Sequence, residues 1–369
     1  MTEQPNETIP LTGARGFLGW HTRAALRASG HCSSPIAVGE YFDIARATAT
    51  IEGTSRLIHM AGVNRASEEE VRDGNLLFAE QVSAALHAAT SPPPVVVFAN
   101  STQEGNGTSY GSAKQHASDV LASTAEKLGI EFIDVKLPNL FGEHGKPFYN
   151  AVTSTFCHML AQGGEPEVTD DKELTLLHAQ NAADLLTGLA PLSSQSDLET
   201  RISASNLLAS LKNIAKTYST GEIPDLSHSF TRDLFNTYRS YNFNKNPEIR
   251  LDKHTDTRGS FFEMTRTQGG ESQSSFSTTA PGVTRGEHFH RRKVERFTVL
   301  VGTATIAVRR LFSNDIQEFQ VAGDSPVAID MPTLWTHKIT NTSEDTLFTS
   351  FWSNELYDEG YPDTVKELV

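Results

Sequence analysis

The sequence has little cysteine, no dense run of basic residues and no long apolar run. Its two cysteines, Cys32 and Cys157, lie far apart, so they cannot build a disulfide framework or a cysteine zinc cluster. The formal net charge of −14 argues against a nucleic-acid or anionic-membrane surface. No stretch approaches the ~20 apolar residues that span a bilayer. We therefore expect a cytoplasmic protein that binds neither nucleic acid nor membrane.

The hydrophobic pattern and the residue composition change along the chain. A length of 369 residues is enough for two domains. Up to about residue 190, apolar runs alternate with amphipathic patterns, which predicts an α/β, Rossmann-type doubly wound parallel sheet. The polar, aperiodic stretch 241–248 predicts a linker. Short segments rich in Val, Thr, Ile and Phe follow and predict an all-β sandwich or barrel. The predicted domains are residues 1–243 and 249–369.

A glycine-rich stretch, "TGARGFLG" (Thr12–Gly19), places Gly13, Gly16 and Gly19 three residues apart. Glycines at this spacing let the backbone turn tightly after a strand and approach a pyrophosphate at a helix N-terminus. A glycine-rich turn without a ligand is the alternative. Pro10 removes a donor from the predicted first strand, so a bulge or an edge contact is expected there.

Three side chains downstream have the chemistry of a carbonyl reductase. Ser101 follows an apolar strand, and Tyr110 and Lys114 lie four apart, on one helical face. A tyrosine is a poor acid at neutral pH unless a nearby cation stabilises its phenolate. Lys114 would supply that charge, and Ser101 would orient the carbonyl. A lone Tyr–Lys pair at this spacing is more often an ordinary helix-surface pair.

Taken together, these motifs resemble the extended short-chain dehydrogenase/reductases, which modify nucleotide sugars. The resemblance covers residues 11–190 and rests on "TGARGFLG", "HMAGVNR", "GNLLFAEQV", "YGSAK" and "LPNLFG". It implies that Ser101, Tyr110 and Lys114 are catalytic and that Asn139 contacts the substrate. The cofactor-binding residues that it implies are Gly13, Arg15, Gly16, Phe17, Gly19, Glu40, Ala61, Gly62 and Lys114.

Two residues point to different dinucleotides. Glu40 lies about 20 residues past the glycine loop, where an acid binds the ribose 2′-hydroxyl of NAD. Arg15, within the loop, would instead meet the 2′-phosphate of NADP. These residues alone leave the choice open.

The second half carries a histidine-rich block, "GVTRGEHFHRRKVERFTVLVG" (282–302). His288 and His290 share one strand face, Glu295 follows, and His337 lies in a later block. The two blocks resemble the paired motifs of the cupin superfamily, a jelly-roll barrel. Three imidazoles and a carboxylate suit zinc, manganese, iron or nickel better than calcium, and zinc is our first expectation. A metal-free cupin with acid–base histidines is the alternative.

A further stretch, "TDTRGSFFE" (255–263), resembles the start of the dTDP-4-dehydrorhamnose 3,5-epimerase group and implies sugar-nucleotide contacts at Arg258 and Glu263. A surface pair on a strand is the alternative. No residue is assigned as the base that removes the C3 proton. His290 and Glu295 are candidates if a metal leaves them free, and Lys253 and His254 are weaker ones.

The whole chain is similar to the bifunctional capsular polysaccharide assembling enzymes, down to its tail, "WSNELYDEGYPDT". That family implies a cupin that epimerises C3 of a UDP-linked 4-keto-6-deoxy amino sugar, and a reductase domain that then reduces C4 with NADPH, toward UDP-N-acetyl-L-fucosamine. NADH remains the alternative cofactor. A homodimer is expected, since symmetric dimers are common. The rival interpretation is an NAD-dependent epimerase/dehydratase with a structural or ligand-sensing cupin.

Overall fold

The structure is a computed structural model that describes residues 7–369. Its α-helices are α1 (Phe17–Ala28), α2 (Ile44–Ile51), α3 (Glu68–Ala88), α4 (Ser109–Leu128), α5 (Val152–Ala161), α6 (Ala179–Thr187), α7 (Gln195–Leu198), α8 (Ala204–Ser219) and α9 (Ser229–Asn242). None of the helices in this described range is both long and apolar enough to cross a bilayer.

The strands of the first half are β1 (Thr8–Thr12), β2 (Cys32–Ile36), β3 (Leu57–His59), β4 (Val95–Ser101), β5 (Glu131–Leu137), β6 (Asn139–Phe141), β7 (Glu173–His178) and β8 (Thr200–Ser203). Those of the second half are β9 (Glu248–Arg250), β10 (His254–Asp256), β11 (Gly259–Phe261), β12 (Gln273–Thr279), β13 (Thr284–Phe289), β14 (Glu295–Val301), β15 (Thr303–Arg310), β16 (Ile316–Ala322), β17 (Val327–Met331), β18 (Trp335–Asn341), β19 (Leu347–Ser353) and β20 (Val365–Lys366).

The described chain forms two compact units. The first comprises residues 7–141, 148–151 and 173–202. Its parallel sheet has the strand order β2-β1-β3-β4-β5, and its core includes Leu11, Ile58, Val97 and Val135, one from each of four strands. Apolar runs of this kind are typical of parallel strands that are covered on both faces. The predicted Rossmann-type sheet is confirmed.

Local capping explains where the helices of this unit begin. α3 begins at Glu68, because Ser67 accepts a hydrogen bond from the amide of Glu70 and the Glu70 side chain accepts one from the amide of Ser67. This reciprocal capping box satisfies two donors that the helix cannot pair internally. The bulge expected at Pro10 does not occur, since Pro10 lies in a regular register opposite Ser34.

The second unit comprises Gly142–Pro147, Val152–Lys172 and Ser203–Val369. Two five-stranded sheets, β12-β19-β14-β17-β9 and β16-β15-β18-β13-β20, build its β part. Phe297 and Ile329 from the first sheet pack with Ile306 and Ile339 from the second in one apolar core. This architecture confirms the predicted all-β, cupin-like second region.

The predicted linker, 241–248, is not a free connector. α9 continues to Asn242, and Phe243 is only 6% exposed. Its ring lies 6.0 Å from that of Phe319 and 5.5 Å from that of Trp335, measured between centroids. A single aromatic residue in a polar stretch therefore joins α9 to the β core. The domain boundary between residues 243 and 249 stays a prediction.

A buried ion pair also ties α8 to the β part of this unit. Arg296 on β14 grips Asp330 on β17 in a bidentate geometry, with Nε–Oδ1 at 2.6 Å and Nη2–Oδ2 at 3.0 Å. Tyr218 on α8 donates to Asp330 (2.9 Å), and Arg296 donates to the carbonyl oxygen of Gly221 (2.8 Å). Burial by itself raises the pKa of Asp330, but the Arg296 guanidinium outweighs it and the pKa is lowered.

We expect Asp330→Asn to lower the free energy of unfolding by about 3–5 kcal/mol, because it leaves the charge of Arg296 buried and unpaired. The pKa of Asp330 is lower in the folded than in the unfolded chain. Its contribution is therefore present above about pH 4 and is lost as the pH falls further. Urea unfolding at pH 7 and at acid pH measures both effects. The exposed Glu318→Gln serves as control, and equal stability of Asp330→Asn and wild type would contradict the account.

Candidate functional site

The glycine loop after β1 is shaped to receive an anionic group. Gly13 has a φ of +72°, and a Cβ added there would lie 2.8 Å from the amide nitrogen of Ala61. A Cβ on Gly19 would lie 2.1 Å from the carbonyl oxygen of Gly13. α1 begins at Phe17, and Gly16 provides no side-chain cap, so no cap competes with an anion for its first N–H groups. The loop has the geometry of a pyrophosphate cradle.

The turn after β3 brings predicted cofactor residues next to Lys114. The Thr12 hydroxyl accepts a hydrogen bond from the amide of Ala61 (3.1 Å), which ties this turn to the glycine loop. A Cβ on Gly62 would lie 2.9 Å from Oδ1 of Asn75 and 4.0 Å from Nζ of Lys114. The absence of a side chain at Gly62 therefore keeps the space in front of Lys114 open.

Ser101, Tyr110 and Lys114 lie on neighbouring elements, with Ser101 at the end of β4 and the other two in α4. Tyr110 lies in the first turn of α4, and the Ser101 side chain is close enough to act on the pKa of its phenol. Lys114 is buried, donates to the carbonyl oxygen of Ala99 (2.7 Å) and lies 4.3 Å from the centre of the Phe98 ring. These contacts hold the ammonium group in place.

The electrostatics of these residues differ from the prediction in one respect. Burial lowers the pKa of Lys114 to about 8. Burial raises the pKa of Tyr110, and the hydrogen bond with Ser101 only partly offsets this effect. The predicted lowering of the Tyr110 pKa by Lys114 is therefore wrong for the protein without cofactor, because desolvation of the phenolate outweighs any attraction by the ammonium.

A pair of acidic residues near Lys114 was missed at the level of sequence. Asp134 on β5 and Glu104 both attract the Lys114 ammonium and oppose the lowering of its pKa. Asn100 donates to each carboxylate at 3.0 Å. The signal was the acidic residue inside the apolar strand "EFIDVKL", which is costly unless its partners lie nearby.

Three further predicted residues of this unit lie at its surface. Arg15, in the glycine loop, and Glu40, in a short 3-10 turn after β2, are exposed. Asn139, at the start of β6, is exposed and donates to the carbonyl oxygen of Thr175 (3.4 Å). The roles of all three stay predictions, as does the choice between NADPH and NADH.

In the second unit, the predicted metal ligands converge. His288 lies on β13 and His290 follows the end of that strand, and His337 lies directly opposite His288 on β18. Glu295 is the first residue of β14, in the other sheet. The candidate ligand atoms of these four residues all lie within 4.8 Å of one another. Residues some 50 positions apart thus form one cluster, as the sequence predicted.

A β-bulge in β13 sets the orientation of His288 toward the cluster. The register between β13 and β18 shifts between Gly286 and His288, and Glu287 in between has a φ of +60°. A Cβ on Gly286 would lie 2.7 Å from the carbonyl oxygen of His337. Glycine therefore permits the close approach of the two strands at the point where the bulge turns His288 toward the cluster.

The protonation states in the cluster suit metal ligation. Burial, reinforced by the charges of His337 and His290, lowers the pKa of His288 to about 3. Burial also lowers the pKa of His337. Burial raises the pKa of Glu295, but the neighbouring histidines outweigh it and hold the pKa well below its usual range. At neutral pH the cluster therefore offers neutral imidazoles at His288 and His337 and a carboxylate at Glu295.

A cavity of about 250 Å³ is lined by one residue of this cluster, Glu295. Glu295 and Lys293 lie in its wall, and Nζ of Lys293 is 2.8 Å from Oε1 of Glu295. Phe351 and Tyr361 contribute aromatic surface. Lys293 was not singled out from the sequence, although it stands two residues before Glu295. The cavity therefore reaches the cluster at Glu295, beside the ammonium group of Lys293.

The other predicted residues of this unit do not join the cluster. Arg258 pairs with Asp256 and its side chain is 88% exposed. Glu263 pairs with Arg266 at 2.9 Å. Both contacts are local: the first lies in the β10–β11 hairpin and the second follows it. The sequence indicated charged residues near a strand, but it could not show whether their side chains line a pocket. Their substrate contacts remain predictions.

The two weaker candidates for the C3 base lie away from the cluster as well. Lys253 donates to the carbonyl oxygens of Gly323 and Asp324, and His254 is exposed on β10.

Family comparisons define the class of protein. Residues 9–191 match the NAD dependent epimerase/dehydratase family, and residues 254–365 match the polysaccharide biosynthesis C-terminal domain. The chain is thus an NAD(P)-dependent oxidoreductase and epimerase, as predicted.

Individual relatives extend this result along the chain. A UDP-2-acetamido-2,6-beta-L-arabino-hexul-4-ose reductase of Pseudomonas aeruginosa is 28% identical over 96% of this chain and 97% of its own length. The crystal structure of the capsular polysaccharide assembling protein CapF from Staphylococcus aureus is 29% identical, covers 98% of this chain and 100% of its own, and superposes with a TM-score of 0.62. The resemblance to the bifunctional capsular polysaccharide assembling enzymes is confirmed.

A more distant structure agrees in fold alone. The UDP-N-acetylglucosamine 4-epimerase from Methanobrevibacter ruminantium, solved with UDP-N-acetylmuramic acid, is 14% identical and has a TM-score of 0.52. It covers 64% of this chain and 99% of its own length.

Proposed function

We propose that this protein is a two-step nucleotide-sugar enzyme of surface polysaccharide synthesis. The cupin epimerises C3 of a UDP-linked 4-keto-6-deoxy amino sugar, and the reductase then reduces the C4 ketone with NADPH. The observation that carries the proposal is the presence, in one chain, of a Ser101–Tyr110–Lys114 site and a histidine–glutamate cluster. Reduction of a C4 ketone requires a site such as Ser101–Tyr110–Lys114. The same ketone makes the proton on C3 acidic, so that it can be removed at the histidine–glutamate cluster.

In the reduction, Tyr110 donates the proton that the C4 oxygen needs, and Ser101 orients that oxygen. The position of Ser101 at the end of β4 and of Tyr110 in the first turn of α4 supports these roles. Lys114 places a positive charge beside the position where the oxygen develops negative charge. Bound NADPH would supply the hydride, with its pyrophosphate in the Gly13–Gly19 loop.

The cluster in the cupin fits a divalent metal, most simply zinc. Nδ1 of His290 faces the carbonyl oxygen of Asp363 at 2.5 Å, and a carbonyl oxygen can only accept, so Nδ1 carries a hydrogen. In the neutral ring, Nε2 then presents its lone pair to Oε2 of Glu295 at 2.9 Å. Two acceptors at this distance need a proton or a cation between them.

A second atom of the cluster, Nε2 of His337, is further evidence for a cation site. Nε2 of His337 is buried and lacks a hydrogen-bond partner among the described residues, 3.5 Å from Oε2 of Glu295. Buried polar atoms are otherwise almost always paired. Three histidines and a glutamate at this spacing match the ligand types of zinc, so His288, His290, Glu295 and His337 would hold the ion.

For epimerisation, removal of the C3 proton creates an enolate whose oxygen is the former C4 carbonyl. A bound divalent cation would supply positive charge to that oxygen. The pocket beside Glu295 and Lys293 would hold the sugar ring, and reprotonation on the opposite face inverts C3. The product keeps its C4 ketone, which is the group that Tyr110 and Ser101 act on.

The order and the cofactor are tested with the UDP-linked 4-keto sugar and either dinucleotide. We expect one NADPH consumed per sugar reduced, with NADPH bound more tightly than NADH in a fluorescence titration. An absence of net consumption would favour the rival epimerase/dehydratase. Clearly tighter binding of NADH would overturn the assignment of NADPH. It would then favour Glu40, rather than Arg15, as the residue that selects the dinucleotide.

A further inference from the structure

The C-terminal segment Tyr361–Val369 runs beside β13, which carries His288 and is followed directly by His290. Its strand β20 pairs antiparallel with β13, with Lys366 opposite His288 and Val365 opposite Phe289. The start of this tail, Tyr361–Thr364, belongs to the stretch that carried the family resemblance, but neither half of the proposed reaction assigns the tail a role.

Asp363 makes the most specific contacts of the tail. One carboxylate oxygen accepts from the amide of Arg291 (3.0 Å), and the other accepts from the amides of Arg292 (2.9 Å) and Lys293 (2.8 Å). Three successive backbone N–H groups that converge on one anion form a nest. The Asp363 side chain is only 4% exposed. This nest fixes the turn that joins His290 to Glu295.

The backbone of the same residue acts directly on a cluster histidine. The carbonyl oxygen of Asp363 accepts the hydrogen on Nδ1 of His290. That contact sets the ring tautomer and leaves Nε2 free to face Glu295, which is the arrangement that an outer partner of a metal-ligating histidine provides.

The end of the tail contacts the neighbours of the other two histidines. The amide of Glu367 donates to the carbonyl oxygen of Glu287 (3.0 Å), and the amide of Val369 donates to its side chain (2.7 Å). Thr336 donates to the carbonyl oxygen of Glu367 (2.6 Å). Glu287 precedes His288 and Thr336 precedes His337, so the tail braces the chain beside each of the three histidines.

We infer that the tail is a working part of the metal site and that Asp363 is its positioning residue. Asp363 holds His290 through its carbonyl oxygen, and holds the turn to Lys293 and Glu295 through its carboxylate. The inference rests on the proposed function only in naming the metal, since the hydrogen bonds of Asp363 do not depend on an ion.

The test compares Asp363→Ala and Asp363→Asn with wild type in their affinity for zinc, measured by competition with a chromophoric chelator. We expect Asp363→Ala to bind zinc about 10–100-fold more weakly, the range for loss of an outer partner. Asp363→Asn keeps one acceptor oxygen and should fall between the two. Glu359→Gln removes the same charge from an exposed position just before the tail and should bind zinc as wild type does.

Two further readouts separate positioning from general damage. The thermal transition and the binding of dinucleotide report whether each variant is folded, and Asp363→Asn carries the comparison if Asp363→Ala does not fold. In hydrogen exchange, the amides of Arg291, Arg292 and Lys293 should lose protection in the Asp363 variants and keep it in Glu359→Gln.

The outcomes are distinct. Equal zinc affinity in wild type and both Asp363 variants, or unchanged protection of the three amides, would overturn the inference. If wild type itself binds no zinc, the metal of the proposed function falls. Asp363 is then judged by the protection of these amides and by deuterium uptake at C3 of the 4-keto sugar, both of which should drop in Asp363→Ala and stay at the wild-type level in Glu359→Gln.

Discussion

Replacement of Tyr110 by phenylalanine should abolish reduction of the C4 ketone and leave epimerisation at C3 intact. The phenol is the group placed to donate a proton to the ketone oxygen, and loss of a general acid costs about 10²–10⁴-fold in rate. The ring itself stays, so the packing at the start of α4 is preserved. NADPH oxidation in the presence of the 4-keto sugar measures the loss.

Two internal controls accompany this variant. Fluorescence titration with NADPH should give the wild-type affinity, because the Gly13–Gly19 loop and Lys114 are untouched. Deuterium uptake at C3 should also match wild type. Reduction at an unchanged rate would remove Tyr110 from the chemistry, and a loss of dinucleotide binding would assign it to the cofactor site instead.

Replacement of His288 by alanine should remove the bound metal and stop exchange at C3. His288 lies opposite His337, with their ring centroids 4.6 Å apart, and its low pKa keeps it in the neutral form that binds metal. Elemental analysis of the purified protein should find about one metal ion per chain in wild type and none in the variant.

The matched control is His116→Ala, which removes an exposed histidine of α4. It should keep both the metal and the exchange. Reduction of a sugar that is already epimerised at C3 should persist in His288→Ala, because Tyr110 is unaffected. Equal metal content in His288→Ala and wild type would rule out the metal site and favour the metal-free, acid–base alternative.

Features set by spacing along the chain were accessible from the sequence. The glycine triplet, the Tyr110–Lys114 pair and the His288–His290 pair each depend on the period of one helix, strand or turn. Their chemistry was therefore predicted together with their position. His337 was added from its similarity to a second cupin block, and the structure places it opposite His288.

Features set by pairing between distant segments were not accessible. The bulge at Gly286 and Glu287 exists only because β13 runs beside β18. The nest around Asp363 is formed by amides of a turn at Lys293, 70 residues earlier in the chain. Asp134 lies near Lys114 only because β5 pairs with β4. Phe243 made the supposed linker part of a core, because one buried ring outweighs several polar neighbours.

Electrostatics were the least accessible feature. Distance along the helix suggested that Lys114 would lower the pKa of Tyr110, but the sign depends on how deeply the phenol is buried. Spacing also gave no sign that Arg258 pairs with Asp256 and Glu263 with Arg266, and the substrate contacts of Arg258 and Glu263 stay predictions.

The central claim is that one chain carries two consecutive steps on the same sugar, and incubation of the UDP-linked 4-keto sugar in D₂O tests it most directly. Without NADPH, we expect deuterium at C3 and no reduction. With NADPH, we expect deuterium at C3 together with one NADPH consumed per sugar reduced at C4. Two results of the incubation with NADPH would contradict the two-step account. One is reduction at C4 without deuterium at C3, and the other is deuterium at C3 without any consumption of NADPH.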